Sequence, residues 1–149
     1  MTGNSVNLHR VLKATPEKIF RAFSDPGAYE TWIPPYGFIG KVHHMDFKVG
    51  GSYKMSFINF STNNGHSFGG GYLEIEPNRF IKHSDRFDNP FLEGEMTTSI
   101  WLNKVSCGTD LRILQEGIPV GIPIEMCYLG WQESLEKLMK LVEPEIPDA

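Results

Sequence analysis

Hydrophobic side chains recur at helical spacing in the last part of the chain. Charged residues such as Glu133 and Lys137 lie largely between them. The spacing predicts one amphipathic helix from about Gly121 to Val142 with a bulky aromatic face. Such a helix needs a sheet to cover, and a curved antiparallel sheet around a single helix tends to leave an apolar cavity. The apolar positions are Ile124, Cys127, Tyr128, Trp131, Leu135, Leu138 and Val142.

The beginning of the chain predicts one strand and two short helices. Residues 6–14 have the composition of a strand, although their hydrophobic and polar positions do not alternate cleanly. Thr15 is placed to cap a helix that begins at Pro16, because its side-chain oxygen accepts a hydrogen bond and proline fits the first turn. Residues 25–26 repeat this start signal, and the prolines at 34–35 end the second helix.

The middle of the chain is divided into strand-like segments by turn residues. In one segment Tyr53, Met55 and Phe57 share a face, and in the last segment Leu111 and Ile113 do so. The closely spaced turns favour antiparallel hairpins, and the glycines at 69–71 favour a bulge or a close backbone approach rather than a phosphate loop. The predicted strands are 38–47, 52–60, 68–76, 79–87, 95–104 and 109–116.

These elements together predict an α+β fold. A curved seven-stranded antiparallel sheet is expected to wrap around the long C-terminal helix, with the two short helices between strands one and two. The length of 149 residues fits one domain, which spans residues 1–149. Its core is expected at about 6–142, followed by a loose tail at 143–149.

Composition and charge exclude several classes of protein. The net charge is -4 and the basic residues are scattered, so nothing resembles the basic stripe of a nucleic-acid binder. No segment reaches the length of a membrane span, and residues 1–8 lack the apolar centre of a signal peptide. A cytoplasmic protein with two free cysteines is therefore expected.

Several short motifs resemble one known family. They are TPEKIF at 15–20, DFKVGG at 46–51, GTDL at 108–111 and GWQESL at 130–135. With the order of elements, they resemble the START-like superfamily, also called SRPBCC or helix-grip, over residues 6–142. The similar branch is named after activators of the ninety-kilodalton heat-shock chaperone's ATPase, although Lys48 stands where that branch usually has arginine. The resemblance implies the helix-grip fold, and its name makes a chaperone a candidate partner.

The favoured functional interpretation is a small binding protein for a hydrophobic or aromatic molecule. No cofactor, metal ion, catalytic residue or covalent chemistry is predicted. Aromatic side chains at helical spacing are also typical of a solid core, so that alternative stays open. The predicted ligand-binding residues are Trp32, Tyr53, Met55, Phe57, His83, Gln115, Tyr128 and Trp131.

Polar residues on the inward face of the sheet leave further alternatives open. The strand phase turns His83, Asp85 and Gln115 toward the helix, and a buried amide without a partner costs roughly 1 to 3 kcal/mol. Its partner could be His83, ordered water or a ligand's polar group, unless the strand has reached solvent. A cyclase or hydratase would use these groups with Thr98, whereas a co-chaperone would use the outer surface.

Two further expectations concern the histidines and one connection. Adjacent residues of a strand point to opposite faces, so His43 and His44 are not expected to bind one metal ion. The connection 87–92 carries apolar side chains where polar ones are usual. It is therefore predicted to fold over the mouth of the cavity as a lid.

Overall fold

The computed structural model describes residues 4–148 and confirms the predicted α+β helix-grip fold. One sheet of seven strands curves around the C-terminal helix. The observed boundaries agree with the predicted ones to within a few residues. The elements are β1 (Ser5–Leu12), α1 (Pro16–Ser24), α2 (Pro26–Trp32), β2 (Phe38–Met45), β3 (Ser52–Asn59), β4 (Gly65–Glu76), β5 (Phe80–Phe87), β6 (Met96–Val105), β7 (Gly108–Glu116) and α3 (Ile124–Val142).

The sheet has the strand order β1-β7-β6-β5-β4-β3-β2, and every neighbouring pair is antiparallel. Strands β2 to β7 form successive hairpins, and β1 completes the sheet beside β7. Pairing with β7 gives β1 the phase that its sequence left unclear, because Val6, Leu8 and Leu12 are buried against the core.

A β-bulge in β2 corrects the prediction for the paired histidines. The register shifts between Val42 and His44, so the strict alternation of side chains is interrupted. His43 Nε2 lies 2.7 Å from Ser56 Oγ and His44 Nε2 lies 3.0 Å from Ser52 Oγ, which places both rings on the outer face. The prediction that they point to opposite faces is therefore wrong.

The two short helices have the predicted caps. Thr15 Oγ1 accepts a hydrogen bond from the backbone N–H of Lys18, and Asp25 Oδ1 accepts from those of Gly27 and Ala28. These side chains satisfy N–H groups that a helix start leaves without partners. The caps fix where the hairpin of α1 and α2 turns, and thereby place α2 beside the start of β2.

Helix α3 begins at Ile124, three residues later than predicted, because Pro123 has an extended conformation at the cap position. Ser134 Oγ donates to the carbonyl of Ile33 at 2.5 Å, and Lys137 Nζ donates to that of Pro34 at 2.8 Å. These bonds join α3 to the end of α2. In the part of the chain that the structure describes, no helix combines the length and apolar character needed to cross a membrane.

The tail that was predicted at 143–149 starts with contacts to the body of the protein. Glu143 Oε2 accepts from the backbone N–H of Lys13 at 2.9 Å, and the carbonyl of Pro144 accepts from Lys18 Nζ at 3.0 Å. Ala149 lies outside the described residues. The first two residues of this segment are therefore held beside α1.

Candidate functional site

A pocket of about 270 Å³ lies between the concave face of the sheet and α3. Most of the side chains around it are apolar, and many of them are aromatic. The volume is slightly below the ~300 to 1,000 Å³ that is usual for drug-sized ligands, so the pocket suits a compact molecule. The bordering residues are Tyr29, Ile33, Pro35, Phe38, Phe57, His66, Phe68, His83, Asp85, Phe87, Met96, Thr98, Gln115, Ile118, Ile122, Met126, Cys127, Gly130, Trp131 and Ser134.

Half of the predicted ligand-binding residues border this pocket. Phe57, His83, Gln115 and Trp131 do so, from β3, β5, β7 and α3 respectively. The structure brings them together because their strands present the predicted inward face and α3 lies across it. Their role in binding stays a prediction.

The other half lie elsewhere. Trp32 is fully buried between helices and its Nε1 donates to the carbonyl of Ala22 at 2.8 Å, while Met55 is fully buried in the core. Tyr53 borders a separate void of about 10 Å³. Tyr128 is 38% exposed on the flank of α3. Trp32 and Met55 therefore belong to the core, which is the alternative that the sequence left open.

Sequence reasoning missed several residues that border the pocket. Tyr29 comes from α2 and Ile33 caps its end, Met96 comes from β6, and Ile118 and Ile122 come from the connection before α3. A signal for the last two was present, because apolar side chains between Gly117 and Pro123 are unusual in a surface connection.

A buried carboxylate organises the polar wall of the pocket. Asp85 Oδ1 lies 3.1 Å from His83 Nδ1, and it also accepts a hydrogen bond from the hydroxyl of Tyr53. Its other oxygen, Oδ2, accepts from Thr98 Oγ1 at 2.6 Å. A charge that is removed from water needs such compensation, since an unpaired buried carboxylate is strongly unfavourable.

The amide of Gln115 extends this network to α3. Its Nε2 donates to Thr98 Oγ1, and its Oε1 accepts from Trp131 Nε1 and Cys127 Sγ, each at 3.1 Å. The residue is buried but borders the pocket. The amide therefore has protein partners, and they differ from the histidine, water or ligand that the sequence suggested.

The pKa values of His83 and Asp85 are shifted in opposite directions from their usual values. Burial lowers the pKa of His83, but the charge and hydrogen bond of Asp85 act more strongly together and leave the pKa above its usual value. Burial raises the pKa of Asp85, but His83 and the donors from Thr98 and Tyr53 reverse this and leave the pKa below its usual value. The pairing therefore favours the charged form of each group, an imidazolium beside a carboxylate.

The site offers proton donation rather than a nucleophile. Burial, helped by the charge of Asp85, raises the pKa of the Cys127 thiol to about 11, so this side chain stays protonated and donates to Gln115. Asp85 is occupied by three donors, which leaves His83 as the group able to give a proton. Within residues 4–148, no three His, Cys, Asp or Glu side chains form a metal-binding group.

The connection between β5 and β6 joins two strand ends that border the pocket, Phe87 and Met96. Phe87 borders the pocket, whereas Phe91 is 90% exposed and does not cover it. The side chain of Leu92 lies beside Gly121 in the opposite connection. None of residues 88–95 borders the pocket, so the cover that was expected from residues 87–92 is present only at Phe87, and its movement stays a prediction.

Comparison with known proteins identifies the class and then the family. The chain is 54% identical to protein CV1439 from Chromobacterium violaceum, with a TM-score of 0.94 over 95% of this chain and 99% of that one. Protein NE0264 from Nitrosomonas europaea is 20% identical with a TM-score of 0.79 over 93% of each chain, which shows a shared fold. These neighbours belong to the START-like, or SRPBCC, class of folds.

Residues 13–143 match the family described as activator of Hsp90 ATPase homolog 1-like protein, and the chain belongs to this family. None of the curated proteins compared with it matches. The resemblance seen in the sequence motifs is thereby confirmed. The family description names an activity of its namesake, so the function of this chain has to be argued from its own site.

Proposed function

We propose that the pocket binds a small hydrophobic or aromatic molecule. The observation that carries the proposal is the pocket of about 270 Å³ bordered by Phe57, Phe68, Phe87 and Trp131. Concave apolar sites with a few converging polar groups are the usual form of small-molecule sites. The polar wall around Asp85 and Gln115 supplies those groups.

The glycine on α3 permits a direct test. Gly130 borders the pocket, and a Cβ built there meets only Pro35 Cγ, at 3.6 Å, which is ordinary contact. Gly130→Ala is therefore a matched control that leaves the pocket open. Gly130→Leu extends a larger side chain into the same space.

The probe is the neutral dye N-phenyl-1-naphthylamine, whose fluorescence rises in apolar surroundings. Wild type and Gly130→Ala are expected to bind it equally, whereas Gly130→Leu binds at least tenfold more weakly, a loss of about 1.4 kcal/mol. Thermal unfolding should show that all three are folded. Equal binding by Gly130→Leu would place the dye outside the pocket and contradict the proposal.

The two alternatives from the sequence stay predictions. A chaperone partner rests on the family name, and affinity capture from cell extract should recover a chaperone if that partner exists. An enzyme would use His83 as a proton donor, so His83→Gln should then remove turnover of a bound ligand. The pocket itself favours ligand binding as the first experiment.

A further inference from the structure

Two polar groups beside the pocket are not used by any described side chain. His83 makes its hydrogen bonds through Nδ1, to Asp85 and to the carbonyl of Ser84, so Nε2 has no partner within residues 4–148. The hydroxyl of Tyr29 likewise has none among those residues. Both side chains are buried and border the pocket of about 270 Å³, and both also border the void of about 10 Å³, which is too small for a ligand. Among the described residues, Asp110 Oδ1 is the only fully buried side-chain nitrogen or oxygen without a hydrogen-bond partner, so His83 Nε2 and the Tyr29 hydroxyl keep accessible surface. A molecule in the pocket can therefore supply the partner that the protein does not.

Their hydrogen-bonding character is that of donors. The contact of Nδ1 with the Asp85 carboxylate favours the protonated ring, in which Nε2 is a donor as well. The tyrosine hydroxyl gives its proton more readily to an acceptor than it receives one beside the charge of Asp85. The polar part of the ligand should therefore be an oxygen acceptor. A purely hydrocarbon ligand would leave both groups unsatisfied.

The charge of the pocket decides between a neutral and an ionised oxygen. No lysine or arginine is among the residues that border the pocket, and the positive charge of His83 is already balanced by Asp85. A carboxylate would therefore enter an apolar site without a cation of its own. The desolvation of an unbalanced charge is strongly unfavourable, whereas a carbonyl group has no such penalty.

We infer that the ligand is a compact, neutral, apolar carbonyl compound whose oxygen accepts hydrogen bonds from His83 Nε2 and the hydroxyl of Tyr29. This inference rests on the proposed function, because it assigns the ligand class of the same pocket. A ketone, aldehyde, ester or amide on an aromatic or aliphatic body has the required chemistry.

Three probes with one aromatic body separate the contributions. Displacement of N-phenyl-1-naphthylamine is measured with 2-acetylnaphthalene, 2-ethylnaphthalene and 2-naphthoate. The ketone is expected to bind at least tenfold more tightly than the hydrocarbon and the carboxylate. If the hydrocarbon binds equally, or if the carboxylate binds most tightly, the carbonyl assignment is overturned while the pocket remains a binding site. Failure of all three to bind would overturn both proposals.

A tyrosine substitution tests the assigned contact. Tyr29→Phe removes only the hydroxyl and should reduce the preference for ketone over hydrocarbon by about three- to tenfold, with little change in stability. Tyr36→Phe is the matched control, because Tyr36 is exposed and does not border the pocket. An unchanged preference in Tyr29→Phe would remove Tyr29 from the site.

Infrared spectroscopy of the wild-type complex gives a readout that needs no variant. The carbonyl stretching band of bound 2-acetylnaphthalene should lie at lower wavenumber than in hexane, because hydrogen bonds weaken the C=O bond. A band at the hexane position would show that no donor contacts the oxygen and would overturn the inference.

Discussion

Gln115 joins two strands and α3 through its side-chain amide. It donates to Thr98 and accepts from Trp131 and Cys127, so both ends of the amide are used. The sequence predicts that the residue faces inward, because its place in the alternation of β7 is a local property, but it leaves open whether the strand has reached solvent there. Its partners come from elements that are 12 to 17 residues away, and local pattern does not reveal them.

Gln115→Leu is expected to destabilise the protein by about 1 to 3 kcal/mol. The reason is that the buried indole N–H of Trp131 loses its hydrogen-bond acceptor. Leaving a buried donor without an acceptor costs more free energy than the hydrogen bond itself contributes to stability. Urea unfolding measures the change. In the presence of Trp131→Phe, which has no N–H to satisfy, the same substitution should cost less, and an equal cost in both backgrounds would contradict this account.

The His83–Asp85 pair should make stability depend on pH. The pKa of His83 is raised above 6.5 in the folded protein, so its contribution is complete below about pH 6.5 and declines as the pH rises through the folded value. The pKa of Asp85 is lowered from 3.8, so its contribution is present above about pH 3.8 and is lost as the pH falls through the folded value. The His83–Asp85 pair therefore stabilises the folded protein most between about pH 3.8 and pH 6.5.

The measurement is the difference in unfolding free energy between wild type and His83→Gln from pH 5.5 to 8.5. This difference should shrink as the pH rises. Taking this difference removes the contribution of His66 to the pH dependence, because His66 is present in both proteins. Burial lowers the pKa of His66, so its contribution to stability changes with pH in the opposite direction. An NMR titration of the wild-type imidazoles should find His83 above 6.5 and His66 below it, and a pH-independent stability difference would show that His83 is not coupled to Asp85.

Among the secondary-structure elements, β4 lies very close to the backbone of its neighbouring strands at its glycines. A Cβ at Gly70 would lie 1.8 Å from the carbonyl oxygen of Ser84, whereas one at Gly71 would meet its nearest atom at 3.5 Å. The sequence predicted a close backbone approach at 69–71, and this prediction is confirmed. Only the three-dimensional arrangement distinguishes the two glycines.

Gly70→Ala should therefore destabilise the protein by at least about 2 kcal/mol, because backbone atoms of β5 have to move. Gly71→Ala is the matched control and should change stability much less. Thermal or urea unfolding of the two variants measures the contrast. Equal stability of the two would show that β4 and β5 have room to separate at this point.

The caps and the strand faces could be predicted from the sequence, whereas the orientation of α2 could not. Caps at Thr15 and Asp25 and the inward faces of β3, β5 and β7 follow from local chemistry, and all were predicted. Which side of a short helix faces the cavity depends on the elements packed against it and not on local sequence. The sequence predicts Trp32 at the cavity, whereas Tyr29, one turn earlier on α2, borders it.

For the whole molecule, we propose that the space between sheet and α3 is a binding site rather than an incidental gap in the core. The methionines report on this at separate places. Met96 and Met126 border the pocket, Met55 is buried but does not border it, and Met45 and Met139 lie elsewhere. Their methyl groups provide internal controls within one sample.

The most direct measurement is a set of intermolecular nuclear Overhauser effects between 2-acetylnaphthalene and protein labelled with ¹³C-methyl methionine. If the probe occupies the pocket, it should contact the methyl groups of Met96 and Met126 but not those of Met45 or Met139. Contacts restricted to the latter two, or no contact with Met96 at a probe concentration that saturates dye displacement, would contradict the proposal.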